Sequence, residues 1–329
     1  MESEGGVTLG SPDESVKWFQ KAVEQNSQYA AMAYGNLGKC YLHGVGVEQD
    51  YQEAVRCLKR AVEEEDADAA TQYYLGYCYY FGEGIEQDYQ EAVKWFRKAA
   101  EQDYARAQWR LGVCYEDGDG VEENSEIAVK WYQKAADQGD AKAQYRLAVC
   151  YKNGEGVEQD DTMAVKWYLE AAEQGYEYAQ YGLGACYFNG VGVEQDYGEA
   201  AKWFREAAEQ GMMEAQYALG LLYSCGNSAS DFLEAVKWYR RAAELGDEDA
   251  ESSLAECCDD FMESNEEIVE WYRKAAEQND AEAQCYLGAC YENGRGVEVD
   301  IEESKEWYER AENQGSAEAT LGLLRCHLG

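Results

Sequence analysis

Cysteine is the residue in this chain whose number and spacing first invite a chemical reading. There are twelve, and seven of them, Cys40, Cys78, Cys114, Cys150, Cys186, Cys257 and Cys290, fall at one position of a recurring pattern. Thiols can pair, hold a metal or act as nucleophiles, and each use demands a recognisable arrangement. Zinc sites ask for Cys-x2-Cys pairs or interleaved histidines. The chain has no such pair and only His43 and His327, so the best metal set that can be assembled is Cys257, Cys258, Cys285 and Cys290. Neither Gly-x-Ser-x-Gly nor His-Glu-x-x-His occurs, which leaves nucleophilic and zinc-hydrolytic catalysis without a constellation. The Gly-x-Gly pairs that recur lack the third glycine and the preceding strand of a nucleotide loop. No catalytic residue, cofactor or metal is expected.

Carboxylate recognition is the second chemistry on offer. Of 28 basic residues, 20 lie in one half of the repeating pattern, alternating with acids, whereas Arg106, Arg110, Lys142 and Arg146 cluster in the other half of adjacent copies. Guanidinium groups grip carboxylates bidentately, so these cations, flanked by Tyr74, Tyr77 and Phe188, read as a clamp for an acidic or carboxylate-bearing peptide. The same cations could instead pair with Glu116 and nearby acids as a solvated face. Asn36, Lys39 and Lys152 complete the candidate groove, because they vary between copies where scaffold positions do not. Tyr80 and Tyr178, and then Glu214, Asp249, Glu256, Glu282 and Glu292, vary likewise, which gives the groove an acidic far end. Tyr73, Trp109, Tyr145, Tyr181 and Tyr217 recur at one position and are assigned to packing.

The elements that must hold these side chains follow from the repeat. Leu37, Leu75, Leu111, Leu147, Leu183, Leu219, Leu254 and Leu287 align at intervals of 33 to 38 residues, a period that corresponds to one helical hairpin per copy. In the first helix Ala107, Leu111, Cys114 and Tyr115 form one apolar stripe, and Gly112 beside it implies close approach of a neighbour. In the second, Ala92, Trp95, Phe96 and Ala99 share the inner face, while Lys94, Arg97, Lys98 and Glu101 meet water. Turns such as Gly82-Glu83-Gly84-Ile85 supply the left-handed backbone that ends the first helix. Asp50, Asp88, Asp196 and Asp300, three residues before Glu53, Glu91, Glu199 and Glu303, predict capping boxes at the start of the second. Adjacent hairpins stack about 10 Å apart, farther than a disulfide spans. The aligned cysteines are therefore expected to be reduced, buried core residues.

The motifs Ala-x-Ala-Gln-Tyr-x-Leu-Gly-x-x-Tyr, Gly-x-Gly-Val and Ala-x-x-Trp-Tyr/Phe-x-x-Ala-Ala, recurring in that order over residues 30 to 329, resemble the Sel-1-like repeat family, relatives of tetratricopeptide repeats. The resemblance implies a curved superhelix whose first helices line a concave groove, and an adaptor role. A secreted cysteine-rich branch of the family pairs cysteines between the helices of each hairpin. This chain lacks that spacing, so the activities of that branch are not carried over. The predicted fold is all-α: an α/α superhelical solenoid of about eight full helical-hairpin repeats plus half-repeats at both ends. Residues 1–11 are expected as a flexible N-terminus and 12–329 as a single solenoid, with an orphan second helix at 12–26, repeats over 30–316 and a terminal first helix at 317–329. The seventh repeat loses its glycine turn over 257–265, where curvature should change.

Lys plus Arg number 28 against 66 Asp plus Glu, a formal net charge of −38. That balance argues against direct binding of nucleic acid or of anionic lipid through a basic face. It also opposes self-association, so a monomer is expected unless the solenoid ends associate. The residues Met1 to Gly6 lack the basic and apolar regions of a secretory signal, and no stretch approaches 18 apolar residues. A cytoplasmic protein without membrane insertion is expected, with signal-less export as an effector left open. The function expected is a non-enzymatic protein–protein interaction scaffold or adaptor that binds a partner segment in the groove. The alternative is an acidic nucleic-acid mimic or decoy that occupies a basic partner protein.

Overall fold

The computed structural model describes residues 12–25, 29–63, 67–226, 229–260, 266–277 and 279–328. Among them are eighteen α-helices and no strand. They fall into two compact units, Met1–Gln195 and Asp196–Gly329. The first holds α1 (Pro12–Glu24), α2 (Ala30–His43), α3 (Tyr51–Ala61), α4 (Ala69–Phe81), α5 (Tyr89–Glu101), α6 (Ala105–Asp117), α7 (Ser125–Asp137), α8 (Ala141–Asn153), α9 (Asp161–Glu173) and α10 (Glu177–Asn189). The second holds α11 (Tyr197–Glu209), α12 (Met213–Ser224), α13 (Ala229–Glu244), α14 (Glu248–Asp260), α15 (Glu266–Glu277), α16 (Ala281–Asn293), α17 (Ile301–Glu312) and α18 (Ala317–Leu328). The segment 1–11 and the end of the turnless stretch, 261–265, lie outside the described residues.

Within each unit the even-numbered helices are the first helices of the repeat and the odd-numbered ones the second. The pairs α2/α3, α4/α5, α6/α7 and α8/α9, and then α12/α13 and α16/α17, pack as the predicted hairpins. Ala107, Leu111 and Cys114 are fully buried, as are Ala92, Phe96 and Ala99 on the facing helix type. The glycine beside the stripe makes room for a ring: a Cβ on Gly112 would lie 2.5 Å from Tyr132, and one on Gly76 would lie 2.8 Å from Phe96. Burying a side chain of that size contributes about 1.5–3 kcal/mol, which offsets the roughly 1 kcal/mol that glycine costs within a helix.

Two features of the turns go beyond the sequence reading. Gly82 caps α4 at φ 73° and donates its N–H to the Cys78 carbonyl, as expected. The second glycine of the pair joins one copy to the previous one. A Cβ on Gly84, at φ 71°, would run into the Tyr51 carbonyl at the start of α3, and Gly120 and Gly156 meet the Tyr89 and Ser125 carbonyls in the same way. The predicted capping boxes are made in one direction only. The Asp88 carboxylate accepts the Glu91 N–H at 2.9 Å, but the Asp88 N–H goes to the Tyr79 carbonyl. The Glu91 carboxylate takes Lys94 instead, at 2.6 Å.

A ladder of buried glutamines links successive copies. The Gln108 side-chain amide donates to the Ala100 carbonyl at the end of α5, and its oxygen accepts from Gln138 at the end of α7 at 2.7 Å. Gln144 repeats this with Ala136 and Gln174, and Gln284 with Ala276 and Gln314. Each amide is therefore a second donor to a carbonyl in the last turn of a second helix, beside the backbone N–H of the turn that follows, and ties that helix to the next copy.

The cysteines among the described residues are free thiols. Cys78, Cys114, Cys150 and Cys186 are buried as predicted, while Cys40 and Cys290 are half-buried; the side chain of Cys257 lies outside the described residues. Burial pushes the Cys78, Cys114 and Cys150 thiols up to about 12. Of the metal set weighed above, the side chains of Cys257 and Cys258 are likewise outside the described residues, and Cys285 is half-buried.

Candidate functional site: a cation-lined cavity in the first unit

Consecutive first helices α4, α6 and α8 present their variable residues around one cavity of about 670 Å³. Tyr73, Tyr77 and Phe81 line it from α4, and Arg106, Trp109 and Arg110 from α6. Asp140, Ala141 and Lys142 close it at the start of α8, with the turn Gln174-Gly175-Tyr176 before α10. Four of the ten predicted groove residues meet here: Tyr77, Arg106, Arg110 and Lys142.

The Arg110 guanidinium is set among rings, 4.5 Å from the Trp109 centroid, 5.2 Å from Tyr80 and 5.4 Å from Phe81. Lys142 lies 5.2 Å from the same Trp109 ring. Two cations thus converge on one indole, whose face attracts each but neutralises neither. Arg110 Nε is buried without a hydrogen-bond partner. Burial pushes the Tyr73 hydroxyl up, and Arg110 beside it works against that. Tyr80 is held from below by its own hydrogen bond to Asp119, at 2.5 Å.

Asp140 is the one carboxylate in the lining. It caps α8, accepting the Ala143 N–H at 2.9 Å. Burial pushes its carboxyl above the usual range, opposed by the backbone N–H groups of Ala143 and Lys142 and then by the Lys142 and Arg106 charges. None of the described ion pairs includes Arg106, Arg110 or Lys142. In a chain with 66 acids, three cations outside the described ion pairs thus line one cavity.

The other six predicted residues lie outside this lining. Arg146 donates to Glu116 at 3.5 Å, and the Tyr132 hydroxyl donates to the same carboxylate. One carboxylate therefore joins α6, α7 and α8, and the solvated-pair use of the cations describes Arg146. Glu292, Tyr308 and Arg325 build the same three-helix junction in the second unit, with Arg325 on Glu292 at 3.0 and 3.1 Å. Lys39 sits 4.0 Å from Asp68 and 6.0 Å from the Tyr74 ring, and Tyr74 packs edge-on to His43 and Tyr73. Asn36 is half-buried on α2, Lys152 is exposed near the end of α8, and the Phe188 carbonyl on α10 accepts from Gln195 at 2.7 Å. Of the acidic far-end positions, the side chains of Glu256 and Glu282 lie outside the described residues.

Sequence reasoning passed over Tyr73 and Trp109, assigned to packing because they recur; here they pack on one face and line the cavity with the other. It also passed over Phe81, Asp140 and Tyr176. Their signal was available in the residues that flank the first helices, where His43, Phe81, Asp117 and Asn153 differ at one end and Tyr104, Asp140, Tyr176 and Met212 at the other.

No helix among the described residues is long and apolar enough to cross a membrane. Stretches matching the Sel1 repeat cover residues 2–27, 31–66, 69–104, 105–140, 141–176, 177–212, 214–247, 269–280 and 281–316. The chain is similar to a protective antigen of uropathogenic Escherichia coli that displays an SLR fold, at 33% identity over 97% of this chain and 76% of that one, with a TM-score of 0.61. It is also similar to a Sel1 repeat protein from Oxalobacter formigenes, at 30% identity over 71% of this chain and 95% of that one, with a TM-score of 0.62. It matches no curated protein significantly. Sel1 repeat proteins generally bind other proteins as scaffolds, and their solenoid fold is typically non-catalytic. With nine matching stretches spread over most of its length, the chain belongs to the Sel1 repeat family.

Proposed function

We propose that this chain is an interaction scaffold whose first unit binds a carboxylate-bearing segment of another protein in the cavity between α4, α6 and α8. One observation carries the reading: Arg106, Arg110 and Lys142 line a single cavity and none of them enters a described ion pair. Cations committed to stabilising the solenoid resemble Arg146 and Arg325, each seated on a carboxylate of the neighbouring copy. The aromatic wall of Tyr73, Tyr77, Phe81 and Trp109 adds apolar area beside the cations, and charge-assisted hydrogen bonds are stronger in a less polar setting.

The test is an affinity capture with the full chain and an Arg106→Glu/Arg110→Glu/Lys142→Glu variant of matched helicity, read by mass spectrometry. A partner held by the wild type and released by the variant is the expected result. Retention by both of the same basic, nucleic-acid-binding proteins overturns the groove reading in favour of charge mimicry through the outer carboxylates.

A further inference from the structure

Two successive copies carry an arginine just before the aligned leucine, Arg110 before Leu111 and Arg146 before Leu147, and the fold serves the two differently. Arg146 reaches back to Glu116 in the preceding copy at 3.5 Å, and the Tyr132 hydroxyl donates to the same carboxylate. Copies of a solenoid meet their neighbours through equivalent positions. The places of Glu116 and Tyr132 are taken, one copy earlier, by Tyr80 and Phe96.

Neither residue can do for Arg110 what Glu116 and Tyr132 do for Arg146. Phe96 is fully buried and has no hydroxyl, and the Tyr80 hydroxyl is spent on Asp119. What Tyr80 offers Arg110 is its ring, 5.2 Å from the guanidinium, with Phe81 at 5.4 Å and Trp109 at 4.5 Å. A ring face attracts a cation without neutralising it. Arg110 enters none of the described ion pairs. Its Nε is buried without a hydrogen-bond partner, and the residue lines the cavity. The internal carboxylate that an arginine at this position receives in the next copy is thus replaced by rings on the one that faces open space.

On the footing of the groove reading above, we infer that Arg110 is the residue that seats the ligand, and that it takes a side-chain carboxylate of the partner, a glutamate or aspartate standing to Arg110 as Glu116 stands to Arg146. Arg106 and Lys142, in the first turns of α6 and α8, draw the acidic segment in, and Arg110 fixes it.

Nuclear magnetic resonance on the isotope-labelled full chain tests this. The probes are acetylated, amidated Ser-Gly-Glu-Gly-Ser and its neutral counterpart Ser-Gly-Gln-Gly-Ser, and the readout is the Arg110 Nε–H signal, identified by its loss in Arg110→Lys. The glutamate peptide is expected to move that signal saturably, and the glutamine peptide to leave it in place. Tyr80→Glu supplies the missing carboxylate from within. It should move the signal with no peptide present and weaken the glutamate peptide about tenfold, the effect of one charge-assisted hydrogen bond. Tyr80→Gln removes the same ring without adding charge and should keep most of the affinity. Arg110→Met should also lose about tenfold, with unchanged circular dichroism, and Arg106→Met and Lys142→Met less. If the glutamate peptide binds Tyr80→Glu and Arg110→Met as it binds the wild type, Arg110 is not the anchor and the inference is wrong, while the groove reading stands on Arg106 and Lys142. If the glutamate peptide binds the wild type no better than the glutamine peptide, both are wrong.

Discussion

Gln138, Gln174 and Gln314 end their second helices and donate to the buried glutamine of the preceding first helix. The repeat places Leu245 at that position after α13. There the rung is missing: Gln216 still donates to the Ala208 carbonyl, but its oxygen is buried without a partner, and Leu245 is 54% exposed. Leu245→Gln is therefore expected to stabilise the second unit by about 1 kcal/mol, read as an upward shift of the urea midpoint, and no shift would show that the rung is dispensable. The thiols give a second residue-scale expectation. Burial holds Cys57, Cys78, Cys114 and Cys150 at about 12. A thiol raised in the folded state favours folding below its ordinary pKa, and that advantage is lost as pH rises toward the folded value. Stability should thus fall between pH 9 and 12, and less steeply in Cys78→Ala/Cys114→Ala, as urea midpoints across that range would show. At this scale the sequence groups Arg106, Arg110, Lys142 and Arg146 as one cluster and does not set Arg146 apart. Its partner, Glu116, lies 30 residues earlier, and only the stacking of copies brings the two to 3.5 Å.

Element by element, the fold was the more legible part, because 3.6-residue periodicity and glycine turns report on each helix without reference to its neighbours. The joint that the second turn glycine makes with the preceding hairpin was not, since the group it meets there is a backbone carbonyl, which leaves no side-chain signature. Gly84 shows the consequence. As a residue in a turn it needs only its φ of 71°, but as part of a joint it must also leave room for the Tyr51 carbonyl of the preceding repeat. Gly139 has a comparable φ of 86° and nothing within 4 Å of a Cβ. Gly139→Ala should cost only the left-handed backbone strain, about 1–2 kcal/mol. Gly84→Ala should cost that and a further 1–3 kcal/mol or so for the overpacked joint. Chemical denaturation of the pair isolates the contribution of the joint. Equal losses would mean that the second glycine is kept for its backbone conformation alone and that α3 does not hold the following turn.

For the whole molecule the decisive quantity is the net charge of −38, which acts oppositely on the two kinds of partner. A basic protein is drawn in by the summed field, so its association rate should fall as salt rises, by a factor of about 10–1,000 where steering is strong. An acidic segment bound for the cavity is repelled by the same field until it is close enough for three local cations to outweigh dozens of distant carboxylates. At physiological ionic strength the Debye length is about 8 Å, against about 30 Å at 0.01 M. Added salt therefore removes the repulsion at range while leaving the close contacts around Arg106, Arg110 and Lys142 largely in place. The association rate of an acidic peptide is expected to rise several-fold over this interval, even if the dissociation rate rises too and the equilibrium constant barely moves. Equilibrium titrations would blur the two cases, whereas stopped-flow association rates measured at both salt concentrations separate them by sign. A rate that falls with salt for every ligand found would mean that the outer carboxylates, and not the cavity, make the first productive contact.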